Sequence, residues 1–567
     1  GYLRDLRKLY QRYGYEGSFY GHFGDGCLHT RTTFDLESAP GVAAFRSFVE
    51  EAAALVVSYG GSISGEHGDG QARGELLPLQ FGPELCRAFA EVKAAWDPEN
   101  RMNPGKLVEP YPLDSNLRLG AAYRPREPAT RFRFPDDDSR FSRAALRCVG
   151  VGKCRQTQAD GVMCPSYLAT REERHSTRGR ARLLFEMLRG ETIAGGWRSE
   201  AVREALDLCL ACKACKSECP VQVDMATYKA EFLHHHYRWR LRPRAAYALG
   251  LVHWWVRAAS KAPRLANAVA RNRWTGSLLK ALGGIAPERR LPAVAPRTFR
   301  KWFETERGRT GRGPAAHRPV GREGEARRVV LFPDTFNDYF RPETARAAVE
   351  VLEAAGFAVV IPPQVLCCGR PLYDFGLLGL AERQLRNVLD ALRGEIRAGV
   401  PVVGLEPSCV ATFRHELPNL LPNDQDARRL SAQTFTLAEL LRDRLAAGDG
   451  FELPRLERRA LVQAHCHHRS VLGVDADRAL LAGLGLDHRY LDAGCCGMAG
   501  AFGYERGEKY RVSMACAERA LLPEVRRADE DTLIVADGFS CRSQIETATS
   551  RSTVHLAELL HLAYFGG

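Results

Sequence analysis

The chain has 567 residues, of which 45% are hydrophobic and 26% are charged, a composition typical of a soluble protein with several globular domains. Its 17 cysteines fall in tight groups, which indicates metal sites in a reducing compartment and argues against a disulfide scaffold. The net charge of +12 suits nucleic acid or anionic lipid, but no helix-turn-helix or RNP-type motif is present, so we expect no nucleic-acid partner.

Residues 1–110 mix short β runs with amphipathic helices, and the first residues are charged, unlike those of a signal peptide. Asp25-Gly26 predicts a two-residue type I′ hairpin turn. Such a turn sets His22 opposite His29, with Cβ atoms roughly 5 Å apart. Two imidazoles at that distance can bind one divalent ion. The alternative is a pair of histidines that hydrogen-bond to the backbone beside glycine turns.

A second loop adds a carboxylate and an imidazole, at Glu66 and His67. The two histidine loops, followed by Trp96-Asp97-Pro98 and Asn103-Pro104-Gly105-Lys106, resemble the C-terminal half of the FAD-linked oxidases. That family includes D-lactate and D-2-hydroxyglutarate dehydrogenases and glycolate oxidase. The resemblance covers residues 1 to about 110 and implies an α+β cap domain that oxidises a 2-hydroxy acid.

The resemblance also implies roles for individual residues. His22, His29 and Glu66 would bind a divalent metal, usually zinc, and His67 would act as general base while hydride passes to FAD. The family often has asparagine near Thr30 and Arg31, so Arg31 is expected either to clamp the substrate carboxylate or to be a surface charge.

FAD is expected to be bound mainly by a preceding domain that this chain lacks. The chain is therefore expected to be a fragment, or to pair with a separate flavin-binding polypeptide. Asn103 and Lys106 are the residues expected at the flavin edge, with a helix-terminating turn as the alternative interpretation. A polar linker is predicted over residues 111–140.

Residues 141–237 are predicted to be helical and carry the most specific motif of the chain. Cys209, Cys212, Cys215 and Cys219-Pro220 follow the C-x2-C-x2-C-x3-C-P spacing of [4Fe–4S] ferredoxins. A zinc ribbon is the alternative, but it needs two C-x2-C pairs.

Upstream, Cys148, Cys154 and Cys164-Pro165 complete a resemblance to the α-helical dicluster ferredoxins of glycerol-3-phosphate and glycolate oxidase iron–sulfur subunits. By that resemblance one cube is held by Cys209, Cys212, Cys215 and Cys164. Cys148, Cys154 and Cys219 are left for a second cube that lacks a ligand. His175 is a candidate fourth ligand, and a three-iron cluster or a single cube are alternatives.

Residues 238–321 form a basic segment rich in tryptophan. Amphipathic helices of this kind suit the surface of an anionic membrane, and an inter-domain helical linker is the alternative. The longest apolar stretch, Ala245–Val256, has 12 residues and is too short to cross a bilayer.

The rest of the chain is an internal repeat, predicted as two α/β units over 322–430 and 431–567. Cys367-Cys368-Gly369 and Cys409 in the first copy correspond to Cys495-Cys496-Gly497 and Cys541 in the second. These units resemble the cysteine-rich CCG domain of heterodisulfide reductase, which implies a non-cubane iron–sulfur cluster. Cys466 has Thr335 as its counterpart, so one cluster is expected, chiefly in the second copy. His465, His467 and His468 are expected to tune a site or a quinone, or to form a polar loop, whereas Cys27, Cys86 and Cys516 are expected to pack.

Together these features predict a multidomain α+β and α/β protein. The expected activity is FAD- and metal-dependent oxidation of an (R)-2-hydroxy acid. Electrons would pass through iron–sulfur clusters to quinone or an electron-transfer protein. The expected location is cytoplasmic, with peripheral contact at the inner face of the plasma membrane as an option. An electron-transfer subunit without a substrate site is the alternative, and a zinc-dependent nucleic-acid module is a third.

Overall fold

The computed structural model describes residues 1–157, 161–308, 327–448 and 450–566. These form two compact units, Gly1–Pro125 and Arg126–Gly567, and the boundary falls inside the predicted linker 111–140. Residues 309–326, which include the end of the predicted basic segment and the start of the first predicted repeat, lie outside the described residues.

The first unit packs amphipathic helices beside a two-stranded antiparallel sheet. Leu6, Leu9 and Tyr10 recur at helical spacing and share a buried core with Phe45 and Phe48 of the next long helix. The elements of this unit are α1 Tyr2–Tyr13, β1 Gly17–Tyr20, β2 His29–Thr32, α2 Ala39–Ser58, α3 Gly70–Gly74 and α4 Leu77–Trp96.

The predicted type I′ hairpin turn is wrong. Tyr20, and not His22, pairs with His29 across the strands. A type I′ turn requires positive φ at both central residues, but Phe23–Asp25 form a 3-10 turn and Gly26 alone follows it in the left-handed region, at φ 74°. His22 therefore lies in a longer loop beyond the paired strands.

The second unit begins with short helices connected by the cysteine-bearing loops. Side-chain caps set several helix starts: Ser176 accepts a hydrogen bond from Gly179 N and Asp224 accepts one from Thr227 N. The helices here are α5 Phe141–Leu146, α6 Pro165–Thr170, α7 Thr177–Arg189, α8 Glu200–Asp207, α9 Ala214–Glu218 and α10 Met225–His236.

The basic segment is also helical. Its helices are α11 Arg244–Ala248, α12 Val252–Ala259, α13 Pro263–Arg271, α14 Arg273–Gly283 and α15 Phe299–Glu306. Trp239, Trp255 and Trp274 are exposed, whereas Trp302 is buried. Across the described part of the chain, every helix is too short or too polar to cross a membrane.

Two small parallel sheets follow, with the strand orders β4-β3-β5-β6 and β8-β7-β9. The elements around the first sheet are β3 Arg327–Phe332, α16 Thr335–Tyr339, α17 Pro342–Ala354, β4 Phe357–Val360, α18 Arg370–Tyr373, α19 Leu378–Ala391, α20 Arg393–Arg397, β5 Val402–Gly404, α21 Pro407–Ala411, α22 Leu417–Leu420, α23 Gln425–Gln433, β6 Thr434–Thr436 and α24 Leu437–Ala446. Those around the second are β7 Arg459–Val462, α25 Asp475–Gly483, β8 Asp487–Tyr490, α26 Glu508–Glu518, α27 Leu521–Arg527, β9 Leu533–Val535, α28 Phe539–Ala548 and α29 Leu556–Phe565.

The two sheets share one arrangement, with the first strand of each copy at the centre between the other two. The first copy has an additional strand, because β6 pairs with β5 in parallel. The first sheet thus extends beyond the predicted boundary at residue 430. Apolar side chains of both copies, including Val329, Leu352, Leu480 and Leu559, belong to one continuous buried cluster.

Candidate redox and metal sites

In the first unit, imidazoles gather around Glu66. Its Oε1 atom lies 2.5 Å from Nε2 of His29 and 3.5 Å from Nε2 of His67. Nε2 of His22 lies 3.9 Å from the other carboxylate oxygen. Ligand atoms of His29, Glu66 and His67 all lie within 4.8 Å of one another, and two imidazoles with one carboxylate are a donor set suited to zinc and similar divalent ions.

The spacing differs in one respect from the ligand set that the sequence implied. His67, the expected general base, belongs to the closest group, whereas His22, an expected ligand, lies outside it. The side chains of His22 and His67 are 69% and 76% exposed, so both have room to change rotamer. The carboxylate between them is the common neighbour of all three imidazoles.

Tyr20 is a neighbour of this cluster that the sequence prediction missed. Its ring stacks on His29, with centroids 5.1 Å apart, because the two residues are direct cross-strand partners. Arg31 lies two residues after His29 in β2, on the same face of the strand, and its Nε donates to the Tyr20 hydroxyl at 3.3 Å. Only the correct register, and not the turn motif, would have identified Tyr20.

Asn103 and Lys106 occupy a tight turn after α4. Asn103 has a left-handed backbone, with φ 49°. Nζ of Lys106 donates to Oε1 of Gln71 at 2.7 Å, and the Leu107 amide donates to the Gly70 carbonyl. The turn is therefore anchored to α3, the short helix that begins three residues after His67.

All 17 cysteines of the chain are unpaired thiols. Cys148, Cys154 and Cys219, the three assigned to the incomplete cube, line one small cavity together with Lys153 and Arg178. The Arg178 amide donates to Sγ of Cys154 at 3.3 Å. Backbone and cationic donors of this kind stabilise anionic sulfur.

The sequence prediction assigned Cys164 to the other cube, but the structure places its thiol beside Cys154. A hydrogen bond from the Cys164 thiol lowers the pKa of Cys154 to about 6. Sγ of Cys164 also accepts the Thr177 amide at 3.1 Å. His175, the candidate extra ligand, is buried and its Nδ1 atom lies 2.8 Å from the Thr170 hydroxyl.

The loop with Cys209, Cys212 and Cys215 is buried and lies against the second cysteine repeat. Burial raises the pKa of the Cys212 thiol, and the nearby thiols of Cys466 and Cys215 raise it further. Two backbone turns in this loop, at Ala211 and Lys213, have positive φ. Such a conformation turns successive amides inward and is typical of anion-binding loops.

In the second repeat the four expected ligands form a continuous chain of thiols. Cys495 contacts both Cys466 and Cys496, and Cys496 contacts Cys541. The pKa of Cys496 is held well below its usual range, first by Cys495 and then by Cys541. The glycine of the motif is required, because Gly497 has φ 82° and a Cβ there would lie 2.1 Å from the Ser513 carbonyl oxygen.

The first repeat has the same arrangement with one substitution. Sγ atoms of Cys368 and Cys409 lie 2.8 Å apart, and Thr335 hydrogen-bonds Cys367 where Cys466 contacts Cys495. Thr335 is itself bonded to Nδ1 of His253 at 3.0 Å. The hydroxyl thus takes the position of the missing thiol.

The three histidines of the second repeat are buried and have different partners. Nε2 of His467 donates to the Ala211 carbonyl at 2.9 Å, which ties the repeat to the ferredoxin loop. Burial lowers the pKa of His465 to about 4, and its Nδ1 accepts the His467 amide. Nε2 of His468 lies 3.0 Å from Oδ2 of Asp477.

Three domain models match the chain. Residues 1–107 match the FAD-linked oxidases' C-terminal domain, residues 144–223 match the 4Fe-4S dicluster domain, and residues 330–414 match the cysteine-rich domain. The last of these covers the first repeat.

Curated relatives follow the same division. D-2-hydroxyglutarate dehydrogenase of Pseudomonas putida is 29% identical over 602 residues, covering 99% of this chain and 57% of the relative. One component of the anaerobic glycerol-3-phosphate dehydrogenase of Escherichia coli is 28% identical, covering 50% of this chain and 68% of its own. Lactate utilization protein A of Geobacillus kaustophilus is 30% identical, covering 41% of this chain and 98% of its own. The chain thus spans little more than half the length of the D-2-hydroxyglutarate dehydrogenases it matches.

Proposed function

Because this chain belongs to the D-2-hydroxyglutarate dehydrogenase-like family of FAD-linked oxidases joined to iron–sulfur proteins, we propose that it helps to oxidise an (R)-2-hydroxy acid. The proposed product is the 2-oxo acid, and the substrate is of the 2-hydroxyglutarate or lactate class. The observation that supports this most is the joining, in one chain, of the imidazole–carboxylate cluster at Glu66 to two groups of buried, unpaired cysteines.

The substrate site is proposed at Glu66. His29 and Glu66, with His22 or His67, provide nitrogen and carboxylate donors for a divalent ion such as zinc. When bound, the metal supplies Lewis acidity and FAD supplies the acceptor of an electron pair. Arg31, on the same strand face as His29, is positioned to attract the substrate carboxylate.

His67 is the proposed general base. Its ring is the most exposed of the cluster and is close to Glu66, so it can take the hydroxyl proton of a substrate and keep it by pairing with the carboxylate. FAD is proposed to be held mainly outside this chain, with Asn103 and Lys106 at the flavin edge.

The cysteine groups are proposed to carry the electrons onward. The dicluster loops and the second repeat are neighbours, since Cys212 and Cys466 interact directly, so clusters there would lie side by side. The proposed ligands are Cys148, Cys154, Cys164, Cys209, Cys212, Cys215 and Cys219 for [4Fe–4S] clusters and Cys466, Cys495, Cys496 and Cys541 for a further cluster, with Cys367, Cys368 and Cys409 as its partner repeat.

Quinone or an electron-transfer protein is the proposed acceptor. Cytoplasmic location with peripheral membrane contact through the basic tryptophan-rich helices accompanies this proposal. A second candidate is an electron-transfer protein without a substrate site of its own. It is favoured by the two relatives named as a dehydrogenase component and a lactate utilization protein, which match only part of this chain.

The two candidates differ in their prediction for His67→Gln. In the protein that carries this chain together with its FAD-binding part, the substitution should lower turnover of (R)-2-hydroxyglutarate or (R)-lactate by about 10²–10⁴-fold. Turnover is measured by dye reduction at saturating substrate. His488→Gln, on the distant strand β8, is the matched control and should leave turnover unchanged. Full activity in His67→Gln would exclude the general-base role and favour the electron-transfer candidate.

A further inference from the structure

The second unit contains a cavity of about 660 Å³, within the range of pockets that enclose small-molecule ligands and cofactors. Apolar side chains from α12, α13 and α14 form most of one wall. Residues of the ferredoxin loop and of both cysteine repeats form the other. None of the substrate chemistry proposed at Glu66 uses this cavity.

One wall of the cavity is redox-active. Cys466 lines it directly, as do Leu210 and Ala211, which lie between the ferredoxin cysteines Cys209 and Cys212. A ligand in the cavity would therefore contact the protein envelope of two proposed clusters at once. Few binding pockets need such a wall unless the occupant exchanges electrons.

The same wall carries aromatic and polar groups. Phe336 and Phe539 stack with centroids 4.7 Å apart, Phe340 adjoins them at 5.5 Å, and all three line the cavity. Aromatic faces of this kind favour a flat ring.

His465 and Ser408 provide hydrogen-bonding groups for ring oxygens. Because Nδ1 of His465 accepts the His467 amide at 3.2 Å, Nε2 is the nitrogen that carries the proton in the neutral ring and donates.

The opposite wall is apolar and reaches the surface. Trp255, Leu265 and Leu279 line the cavity although they are 58%, 66% and 43% exposed, so the cavity opens between their helices. Residues 238–287 around this opening contain ten arginine and lysine residues and no acidic residue. An apolar opening within a cationic surface suits entry from an anionic lipid layer.

We infer that this cavity binds an isoprenoid quinone, with the ring against Phe336, Phe539 and Cys466 and the tail between α12, α13 and α14. The inference rests on the function proposed above, which supplies two electrons and two protons for each hydroxy acid oxidised. The quinone takes up the two electrons, one at a time, and two protons from water, and leaves as the quinol.

The test is direct binding of a ubiquinone with one isoprene unit to the full chain, purified anaerobically and titrated calorimetrically. Ala266→Trp places an indole in the cavity and should weaken binding by about tenfold or more, because it occupies the volume of the tail. Ala268→Trp makes the same change on the exposed side of α13 and should leave the affinity within about twofold.

A second measurement uses the same proteins after reduction with dithionite. The quinone should reoxidise the wild type and Ala268→Trp rapidly and Ala266→Trp slowly, whereas ferricyanide should reoxidise all three at one rate. Equal quinone affinity in the two tryptophan variants, or binding without reoxidation as expected for a fatty-acid pocket, would overturn the inference. Neither measurement needs a hydroxy acid or flavin, so a failed dehydrogenase assay would leave both results unchanged.

Discussion

At the residue scale, the Cys-Cys-Gly motif is explained by backbone geometry. Gly369 and Gly497 have φ values of 80° and 82°, a conformation in which a side chain is strained. In each repeat the amide of this glycine points back to the first thiol of its pair, at 3.4 Å. The motif therefore places two adjacent thiols and an amide donor at one turn, as an anionic sulfur site requires.

Cys495→Ser tests whether this turn holds iron. Because Cys495 contacts both Cys466 and Cys496, the variant should lose one cluster, measured as a drop of about four iron and four acid-labile sulfide per chain. Cys516→Ser is the matched control. It replaces an equally buried thiol whose partner is the Pro165 carbonyl, and its iron content should equal that of the wild type. Equal iron in both variants would show that the turn binds none.

At the element scale, ion pairs attach the ferredoxin loop to the first repeat. Nζ of Lys213 lies 3.0 Å from Oε1 of Glu416 and 3.3 Å from Oδ2 of Asp224, and Arg370 also pairs with Glu416, at 2.8 Å. Burial alone would raise the pKa of Glu416, but Lys213 and Arg370 hold it below its usual value. Arg370 directly follows the Cys-Cys-Gly turn, so one network positions two cysteine sites.

Lys213→Met should destabilise this junction by about 3–5 kcal/mol, because it leaves buried carboxylates without their cation. The measurement is urea unfolding followed by circular dichroism. Lys216→Met removes a more exposed lysine 3.8 Å from Asp224, and its free energy of unfolding should fall by no more than about 1 kcal/mol. A Lys213→Met/Glu416→Gln double variant should recover part of the loss. Equal stability of the two single variants would contradict a structural role for the network.

At the scale of the whole molecule, local patterns predicted more than long-range pairing did. The repeat of apolar strands, helices and Cys-Cys-Gly turns predicted two α/β units, and the structure has two parallel sheets with a shared order. The turn at Asp25-Gly26 failed because strand register depends on Tyr20 and His29 pairing across the sheet, which a dipeptide preference does not encode.

The candidate sites show the same limit. The spacing of Cys209 to Cys219 identifies a cluster motif within one segment, but the neighbours of Cys164 and Thr335 depend on tertiary packing. The cavity beside Cys466 has no sequence signature, since its walls come from five separate parts of the chain. Periodicity shows which faces are apolar but not which of them enclose a space.

The central claim is that the cysteine groups hold iron–sulfur clusters. Anaerobic purification followed by iron and acid-labile sulfide analysis, with EPR after reduction, tests it most directly. The account predicts a coloured protein with about eight irons for two clusters, or about twelve for three, and matching sulfide. A colourless preparation that contains zinc and no inorganic sulfide would contradict it.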